Sequence, residues 1–320
     1  MKPDAAAKCF GAGLMLAQLN VLHAESDGAA AGTDLECIHR MRVASRRLRA
    51  VLAYFDPVLP AGICQKFQEQ VRNVTLALGN SRDLDIQMQA LRRFQLMREG
   101  ESRLAGLDEL LTALERQRSQ SGEEVRTLIH LFKANTAVAT ASEVLKRLAV
   151  EPMNQPSTPL RLLADQAIRT RLRRLISFTD VMRDPQQIEK LHAMRIAAKR
   201  LRYTLEIFAP LETNGFKPWL KRVRGVQEML GAIHDCDAWD VLLKSQSVTG
   251  AGYPPGIQLW MENRANHRAR MYTAFITAWD SPAKGSSWDE LELHVKANHP
   301  AEITHRISFG DPGEQQGAAE

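Results

Sequence analysis

Residues 38–57 read IHRMRVASRRLRAVLAYFDP, and residues 191–210 read LHAMRIAAKRLRYTLEIFAP. Ten of these 20 aligned positions are identical, and Arg46 is matched by Lys199, which keeps the positive charge. A period of 153 residues in a chain of 320 indicates two copies of one module. Because the repeated positions include a histidine and several cations, we expect a function to be duplicated together with the fold.

A second repeated stretch follows each copy. Residues 71–85 read VRNVTLALGNSRDLD, and residues 223–237 read VRGVQEMLGAIHDCD, with an offset of 152. The change of one residue in the offset indicates duplicated helices that are joined by a loop of tolerant length.

The first repeated stretch is predicted to be an amphipathic helix. At 100° per residue, one face collects its cations over three turns, and the opposite face collects its apolar residues. The cationic face is formed by His39, Arg42, Arg46 and Arg49 in the first copy and by His192, Arg195, Lys199 and Arg202 in the second. The apolar face of the first copy is formed by Met41, Ala44, Leu48, Leu52 and Phe55.

Such a face is unfavourable by itself, because like charges three and four residues apart on a helix repel each other. No acid lies between Glu36 and Asp56 in the first copy. A bound polyanion would offset this repulsion, and arginine forks suit phosphate oxygens. A duplicated basic face that is merely solvated is the alternative interpretation.

Further cations sort by whether they are repeated. Arg47 and Arg200 match and are expected to flank the cationic faces, and Arg72 and Arg224 match on the next helix. Arg40 faces Ala193 in the other copy, so we expect no shared role for it. Cations of the later helices align poorly between the copies: Arg116, Arg118, Arg264, His267, Arg268 and Arg270.

Composition and charge favour a basic, water-soluble helical protein. The net charge is +5, the pI is about 9.1 and the mean hydropathy is −0.29. Residues 281–320 hold three Lys/Arg and seven Asp/Glu, a net −4, so residues 1–280 hold 39 and 30, a net +9. A basic body with an acidic tail indicates a polyanionic partner.

The chain is predicted to be all-α, because helix formers dominate and no alternating strand pattern is present. The first half is predicted to form helices near residues 5–24, 34–55, 61–79, 82–98 and 101–148, the last being one helix or two. Breaks are predicted at Pro57 to Gly62 and at Gly79-Asn80-Ser81, with Ser81 or Asp83 capping the next helix. The proline-rich stretch 149–159 is predicted to link the halves.

The second half is predicted to follow the same plan, near residues 160–183, 186–208, 216–232, 235–247 and 256–279. Residues 281–320 are predicted to be an acidic and partly disordered tail. The domains are therefore residues 1–150 and 151–280, followed by this tail.

The ends and the cysteines bear on location. The apolar stretch 9–22 is too short and too polar to span a bilayer, and we interpret it as a first bundle helix rather than a signal peptide. Cys9, Cys37, Cys64 and Cys236 form neither a zinc pattern nor a disulfide framework, which indicates a reducing cytosol.

The acidic motifs RDLD and HDCD admit two interpretations. His234, Asp235 and Asp237 resemble the motif of metal-dependent phosphohydrolases, but the first copy has Arg82 in place of His234 and further ligands are not evident. We therefore expect Asp83, Asp85, Asp235 and Asp237 to cap helices and orient arginines, and we expect no metal site. The run ELELH at 290–294 half-resembles a triphosphatase signature, but too few residues follow it for that β-barrel.

The two repeated motifs together resemble the CHAD family (conserved histidine α-helical domain), over roughly residues 5–280. The resemblance implies two four-helix bundles that are related by pseudo-twofold symmetry, with a basic groove or pore between them. It also implies binding of inorganic polyphosphate, often on polyphosphate granules. The triphosphatase domain that is often fused to this family is not seen in the sequence, so we expect neither catalysis nor a cofactor. The implied ligand residues are His39, Arg42, Arg46, Arg47, Arg49, Arg72, His192, Arg195, Lys199, Arg200, Arg202 and Arg224.

Two alternatives remain open from the residues. A nucleic-acid-binding protein would also use a basic helix, but we do not expect DNA or RNA to bind at physiological salt. A metal-dependent phosphohydrolase would use His234, Asp235 and Asp237. We expect a cytoplasmic protein with inorganic polyphosphate as its partner, and no membrane partner or enzymatic activity.

Overall fold

The computed structural model describes residues 4–32, 34–98, 104–150, 156–212, 216–246 and 252–297. These residues form ten α-helices and three short 3-10 helices, and they contain no strand. The prediction of an all-α protein is therefore confirmed.

The helices repeat in the same order in the two halves of the chain. The first half contains α1 (Ala5–Ala31), α2 (Leu35–Phe55), α3 (Ala61–Leu96), α4 (Leu107–Ala134) and α5 (Thr136–Leu148). The second contains α6 (Thr158–Ile176), α7 (Ile188–Phe208), α8 (Lys217–Gln246), α9 (Pro255–Asp280) and α10 (Trp288–Ala297). Helices α2 and α7 each have 21 residues and each run into a three-residue 3-10 turn with a proline.

The described residues fall into two compact units. One holds residues 4–92 and 111–161, and the other holds residues 93–110 and 162–297. The end of α3 and the start of α4 thus belong to the second unit, although they lie in the first half of the chain. The predicted halves follow the repeat, whereas the units follow the packing, and the pseudo-twofold bundle pair with its groove remains a prediction.

The first unit is built around the apolar face of α2. Met41, Leu48 and Phe55 of that face are buried to 1% exposure or less. Helix α1 packs on α2 and on α5. The close approach of α1 and α2 requires a glycine, because a Cβ at Gly11 would lie 2.5 Å from Cγ of Phe55.

The second unit uses the matching face of α7, which packs on α8, while α8 packs on α9. Met194, Leu201 and Phe208 are fully buried, as their counterparts in α2 nearly are. Trp260 of α9 lies at the centre of a second cluster, with ring contacts to Phe94 and to Trp239.

The predicted break at Gly79-Asn80-Ser81 is wrong. Helix α3 runs through it as 36 residues, and α8 runs through the matching Gly231 as 30 residues. One glycine costs a helix only about 1 kcal/mol, and α3 buries Leu78 before this point and Leu91 after it. Ser81 and Asp83 therefore lie inside a helix and are not the predicted caps.

The stretch predicted as 101–148 is two helices. Asn135 ends the first and caps the second, because its side-chain oxygen accepts hydrogen bonds from Ala137 N (2.9 Å) and Val138 N (3.4 Å). Residues 99–103, and residues 151–155 of the predicted linker, lie outside the described residues.

Helix α1 is longer than the predicted 5–24 and has the length and composition of a membrane span, with a mean hydropathy of 1.3 over its best window. That observation is weak evidence, because core helices and N-terminal signal sequences pass the same test. In the structure, 39% of the window is buried, and Met15, Leu19 and Leu22 are fully enclosed. Helix α1 is thus packed as a core helix of its unit.

Part of the predicted acidic tail is folded. Helix α10 buries Trp288, Leu291 and Val295. Its start is a capping box, in which Ser287 N donates to Glu290 Oε2 (2.7 Å) and Glu290 N donates to Ser287 Oγ (3.1 Å). The ELELH run is therefore helical, and residues 298–320 lie outside the described residues.

Candidate functional site

Helices α2 and α7 display the duplicated cations because their apolar faces are buried. Helix α2 is capped by Asp34, whose carboxylate accepts a hydrogen bond from Glu36 N (2.8 Å). Burial of the apolar face then fixes the rotation of the helix, so that the cationic residues lie on the part of the helix that is accessible to solvent. The same argument holds for α7, whose buried residues match those of α2.

We define two cationic faces by their residues. The first cationic face consists of His39, Arg42, Arg46, Arg47 and Arg49 on α2 with Arg72 on α3. The second cationic face consists of His192, Arg195, Lys199, Arg200 and Arg202 on α7 with Arg224 on α8. Arg47 and Arg224 are exposed, and the other ten side chains are partly exposed. All twelve predicted residues are thus accessible, and each face lies within one compact unit.

The second cationic face begins at a pair of histidines. Nδ1 of His192 and Nδ1 of His234 on α8 are 3.0 Å apart, so one ring donates a hydrogen and the other accepts it. Burial, followed by the charges of Arg195, His192 and Lys199, lowers the pKa of His234 to about 3. His234 is therefore neutral at physiological pH although it lies among cations.

A carboxylate lies beside the same face. Nη2 of Arg224 donates to Oε1 of Glu206 at 2.9 Å, and Nε of Arg202 lies 3.9 Å from the same oxygen. Glu206 therefore joins two predicted ligand residues that come from different helices. A sequence signal for it was present, since Glu206 is an acid inside the second copy where the first copy has Ala53.

The four aspartates of the second repeated motif lie inside helices and do not cap them, and two of them, Asp85 and Asp237, orient arginines. Asp85 of α3 accepts from Nε of Arg118 on α4 at 2.7 Å, and Asp237 of α8 accepts from Nε of Arg268 on α9 at 2.5 Å. Arg118 and Arg268 are therefore equivalent, which contradicts the expectation that these later cations align poorly. The sequence offset for this pair is 150, so changes in loop length concealed the match.

The pair on α8 and α9 also holds the segment that leads into α7. Nη2 of Arg268 donates to the Pro185 carbonyl oxygen at 2.9 Å, and the Tyr272 hydroxyl donates to the Met182 carbonyl oxygen at 2.9 Å. Burial raises the pKa of the Asp237 carboxyl, and the hydrogen bond from Arg268 opposes that shift. These contacts position the first turns of α7, where the second cationic face begins.

The residues of the HDCD motif have separate partners. His234 contacts His192, and Asp237 accepts from Arg268. Over the described ranges, no group of three or more His, Cys, Asp or Glu side chains is arranged to hold a metal ion.

Two further arginines, Arg222 of α8 and Arg264 of α9, serve the packing of the second unit. Arg222 of α8 lies 4.1 Å from the ring centre of Trp288 and donates to the carbonyl oxygens of Ser286 (2.9 Å) and Trp279 (3.0 Å). Burial lowers the pKa of Arg222 to about 10. Arg264 stacks on Trp260 at 4.3 Å. Arg222 thus fastens the end of α9 and the start of α10 to α8, whereas Arg264 stacks within its own helix.

Comparison with known proteins gives a family and two similar folds. The model of the CHAD domain family matches residues 13–244. The structure of PptA from Streptomyces chartreusis is similar at 17% identity and a TM-score of 0.60, covering 86% of this chain and 99% of PptA. The CHAD domain from the plant Ricinus communis is similar at 22% identity and a TM-score of 0.59, covering 93% of this chain and 94% of that domain. No curated protein is significantly similar in sequence.

Proposed function

This chain belongs to the CHAD domain family, and we propose that it binds inorganic polyphosphate through its two cationic faces. The observation that carries the proposal is the duplication itself. The same positions of two equivalent helices present accessible cations above equivalent buried residues, although only half of the aligned residues are identical.

The chemistry of the faces suits a polymer of phosphates. An internal phosphate carries about one negative charge and offers only oxygen acceptors, so recognition needs cation density rather than stacking on bases. Arginine supplies bidentate forks for such oxygens. The two faces hold nine arginines and one lysine, and they contain no aromatic residue other than the histidines. Single-stranded nucleic acids are instead held on aromatic side chains.

We propose that binding is not coupled to catalysis. The residues that a phosphohydrolase would need are engaged in other contacts: His234 with His192, and Asp237 with Arg268. A test is phosphate release from long-chain polyphosphate in the presence of Mg²⁺ or Mn²⁺. Release that is lost in Asp235→Ala would contradict this part of the proposal.

The binding proposal is tested by titrating the full-length protein with long-chain polyphosphate at about 150 mM salt, with duplex DNA and RNA as competitors. We expect tight binding that excess nucleic acid does not displace. We expect the double variant Arg42→Ala, Arg195→Ala to weaken binding by about tenfold or more, since charge-assisted hydrogen bonds contribute about 1.5–3 kcal/mol each.

Arg40→Ala is the matched control. Arg40 lies on the same helix as Arg42, but its guanidinium is held by both carboxylate oxygens of Glu25, at 2.8 and 2.9 Å. We expect less than a twofold change for this variant. An equal loss in Arg40→Ala and in the double variant would mean that overall charge, and not the faces, governs binding. Absence of polyphosphate binding would overturn the proposal.

We further propose a cytoplasmic location on polyphosphate granules. All four cysteines are free thiols in the structure, which suits a reducing compartment. A fluorescent fusion should colocalise with stained granules, and the double variant Arg42→Ala, Arg195→Ala should be diffuse. A wild-type fusion that does not colocalise with the granules would contradict the proposed location without affecting the binding proposal.

A further inference from the structure

Glu206 is a counter-charge built into the second cationic face. Its carboxylate accepts a hydrogen bond from Arg224 at 2.9 Å and lies 3.9 Å from Nε of Arg202. Its side chain is only 19% exposed, so water screens these contacts less than it screens an open surface pair. A phosphate that approaches Arg202 or Arg224 must therefore compete with a carboxylate that is already present.

The first cationic face has no such residue at the equivalent position. Ala53 lies where the second copy has Glu206, and it is exposed. It offers no carboxylate to Arg49 or Arg72, which are the counterparts of Arg202 and Arg224. The difference at this position is therefore one of sequence.

A second difference lies on the following helix. The first copy has Arg82 where the second has His234. An arginine is always charged, whereas His234 lies against His192 and close to Arg195 and Lys199, which disfavour its protonation. Both copies keep the two aspartates that follow this position, so the aspartates do not cancel the difference.

Both differences make the first copy more positively charged than the second. With Arg82 counted, the first copy presents six cations on α2 and α3 at these positions, namely Arg42, Arg46, Arg47, Arg49, Arg72 and Arg82. The second presents five cations, one carboxylate and one neutral imidazole, namely Arg195, Lys199, Arg200, Arg202, Arg224, Glu206 and His234. At these positions the first copy therefore exceeds the second by two positive charges, one from Arg82 and one from the carboxylate of Glu206.

We infer that the two faces are unequal phosphate-binding sites, that the first cationic face contributes most of the affinity, and that Glu206 limits the second. This inference rests on the proposed function. Both faces belong to copies of one module, but in the second face a carboxylate of the protein itself pairs with Arg224 and lies near Arg202. Glu206 is thus a residue that sets affinity without contacting the ligand.

The inference is tested with two single exchanges of opposite sign. Glu206→Gln removes the counter-charge while keeping the size of the side chain, and Ala53→Glu introduces it at the exposed position of the first copy. We expect Glu206→Gln to bind long-chain polyphosphate about twofold to fivefold more tightly at about 150 mM salt and Ala53→Glu to bind it more weakly by a similar factor, the range of partly exposed ion pairs. The dependence of log affinity on log salt should steepen in the first variant and flatten in the second.

Controls with the same change in net charge lie on other helices. Glu124→Gln on α4 and Ala274→Glu on α9 alter exposed positions outside both faces. We expect less than a twofold change for each, because charges beyond about 8 Å are screened at this ionic strength. If the controls match the test variants, net charge alone explains the effect and the inference is wrong.

A double-mutant cycle separates competition from a structural role of Glu206. Arg49→Ala should weaken binding more than Arg202→Ala does in the wild-type protein. In the Glu206→Gln background, the loss caused by Arg202→Ala should increase, because Arg202 is then available to phosphate. A role of Glu206 in folding alone would leave that loss unchanged.

The outcomes distinguish the two levels of the argument. If the wild-type protein does not bind polyphosphate, the proposed function fails, and this inference fails with it. If the wild-type protein binds, but Glu206→Gln leaves affinity unchanged or weakens it, only the inequality of the faces is overturned. Tighter binding in Glu206→Gln together with weaker binding in Ala53→Glu supports the inference.

Discussion

Some equivalent positions of the two repeated motifs carry residues of different chemistry. His234 is the clearest example, since its first-copy counterpart is Arg82. The imidazole is a partly buried hydrogen-bond partner of His192 and is uncharged at neutral pH. A histidine whose pKa is lower in the folded state than in the unfolded state makes the free energy of unfolding depend on pH.

We predict that this histidine makes the protein sensitive to acid. Its pKa is lowered from 6.5 to about 3 by burial and by the neighbouring charges of Arg195, His192 and Lys199. Between these two pH values the unfolded state takes up a proton that the folded state does not, so the free energy of unfolding falls as pH is lowered below about 6.5. His234→Gln should reduce the difference in urea stability between pH 7 and pH 5.

The control for this experiment is His130→Gln. His130 is exposed on α4, so its replacement should leave the pH dependence as it is in the wild-type protein. If the two variants show the same pH dependence, the acid sensitivity has another origin.

The paired aspartates and arginines are a second residue-scale feature. The Asp85–Arg118 pair is 12% and 16% exposed and joins α3 to α4. We predict that Asp85→Ala lowers the free energy of unfolding by about 3 kcal/mol, because removing one partner of a mostly enclosed pair leaves the other charge without its counter-charge. Denaturant unfolding monitored by circular dichroism measures the loss.

The same two helices offer a matched control. Arg92 of α3 and Glu115 of α4 form an ion pair at 2.6 Å, but both side chains are about half exposed. Glu115→Ala should cost less than about 1 kcal/mol. Equal losses for Asp85→Ala and Glu115→Ala would mean that burial of the Asp85 pair has no energetic consequence.

At the scale of the element, the long helices α3 and α8 are the main departure from the prediction. Each carries a glycine in its interior, and a Cβ built at Gly79 or at Gly231 meets no atom within 4 Å. Neither glycine is therefore required by close packing. A helix that buries apolar residues on both sides of such a position stays continuous, because that burial exceeds the cost of one glycine.

We predict that Gly79→Ala and Gly231→Ala each stabilise the protein by about 0.5–1 kcal/mol, because alanine restricts the unfolded chain without a clash in the helix. Thermal unfolding should show a higher Tm for both variants. Gly11→Ala is the opposing control, since its Cβ would overlap the buried ring of Phe55; it should destabilise by about 1–3 kcal/mol. A lower Tm in Gly79→Ala would mean that the glycine is needed for a reason other than packing.

At the scale of the whole molecule, charge is divided along the chain. Residues 1–280 carry a net +9 and residues 281–320 a net −4. Four acids and one arginine lie beyond Ala297, outside the described residues: Glu302, Asp311, Glu314, Glu320 and Arg306. An acidic segment tethered to a basic protein opposes the approach of another polyanion through long-range repulsion.

We predict that neutralising this segment speeds the association of polyphosphate. The variant Glu302→Gln, Asp311→Asn, Glu314→Gln, Glu320→Gln should associate about twofold to fivefold faster at about 20 mM salt, where the Debye length exceeds 20 Å. Stopped-flow mixing measures the rate. The difference should vanish near 1 M salt, where charges act over only about 3 Å; a difference that persists there would rule out repulsion as its cause.

What could be predicted from the residues follows from short-range regularities. The repeat with a period of 153 is visible because each copy is contiguous in the chain. The helical spacing of Met41, Leu48 and Phe55 and the run of cations after Glu36 lie within one helix. Local periodicity determines which side of a helix is buried. The all-α class and the solvent exposure of the twelve candidate residues could therefore be predicted from the sequence. The resemblance to the CHAD family could also be recognised from the sequence, because the motifs of the family are contiguous in the chain.

Other features depend on which helices lie side by side. The continuity of α3 past Gly79 depends on burial against other helices, and the contact of His192 with His234 joins residues 42 positions apart. The pairing of Asp85 with Arg118 and the capture of Arg224 by Glu206 likewise join separate helices. Contacts between helices produce no regular spacing in the sequence, because the lengths of the connecting loops vary. The sequence shows the acid at position 206, but only the tertiary structure revealed that its carboxylate pairs with Arg224 on the neighbouring helix.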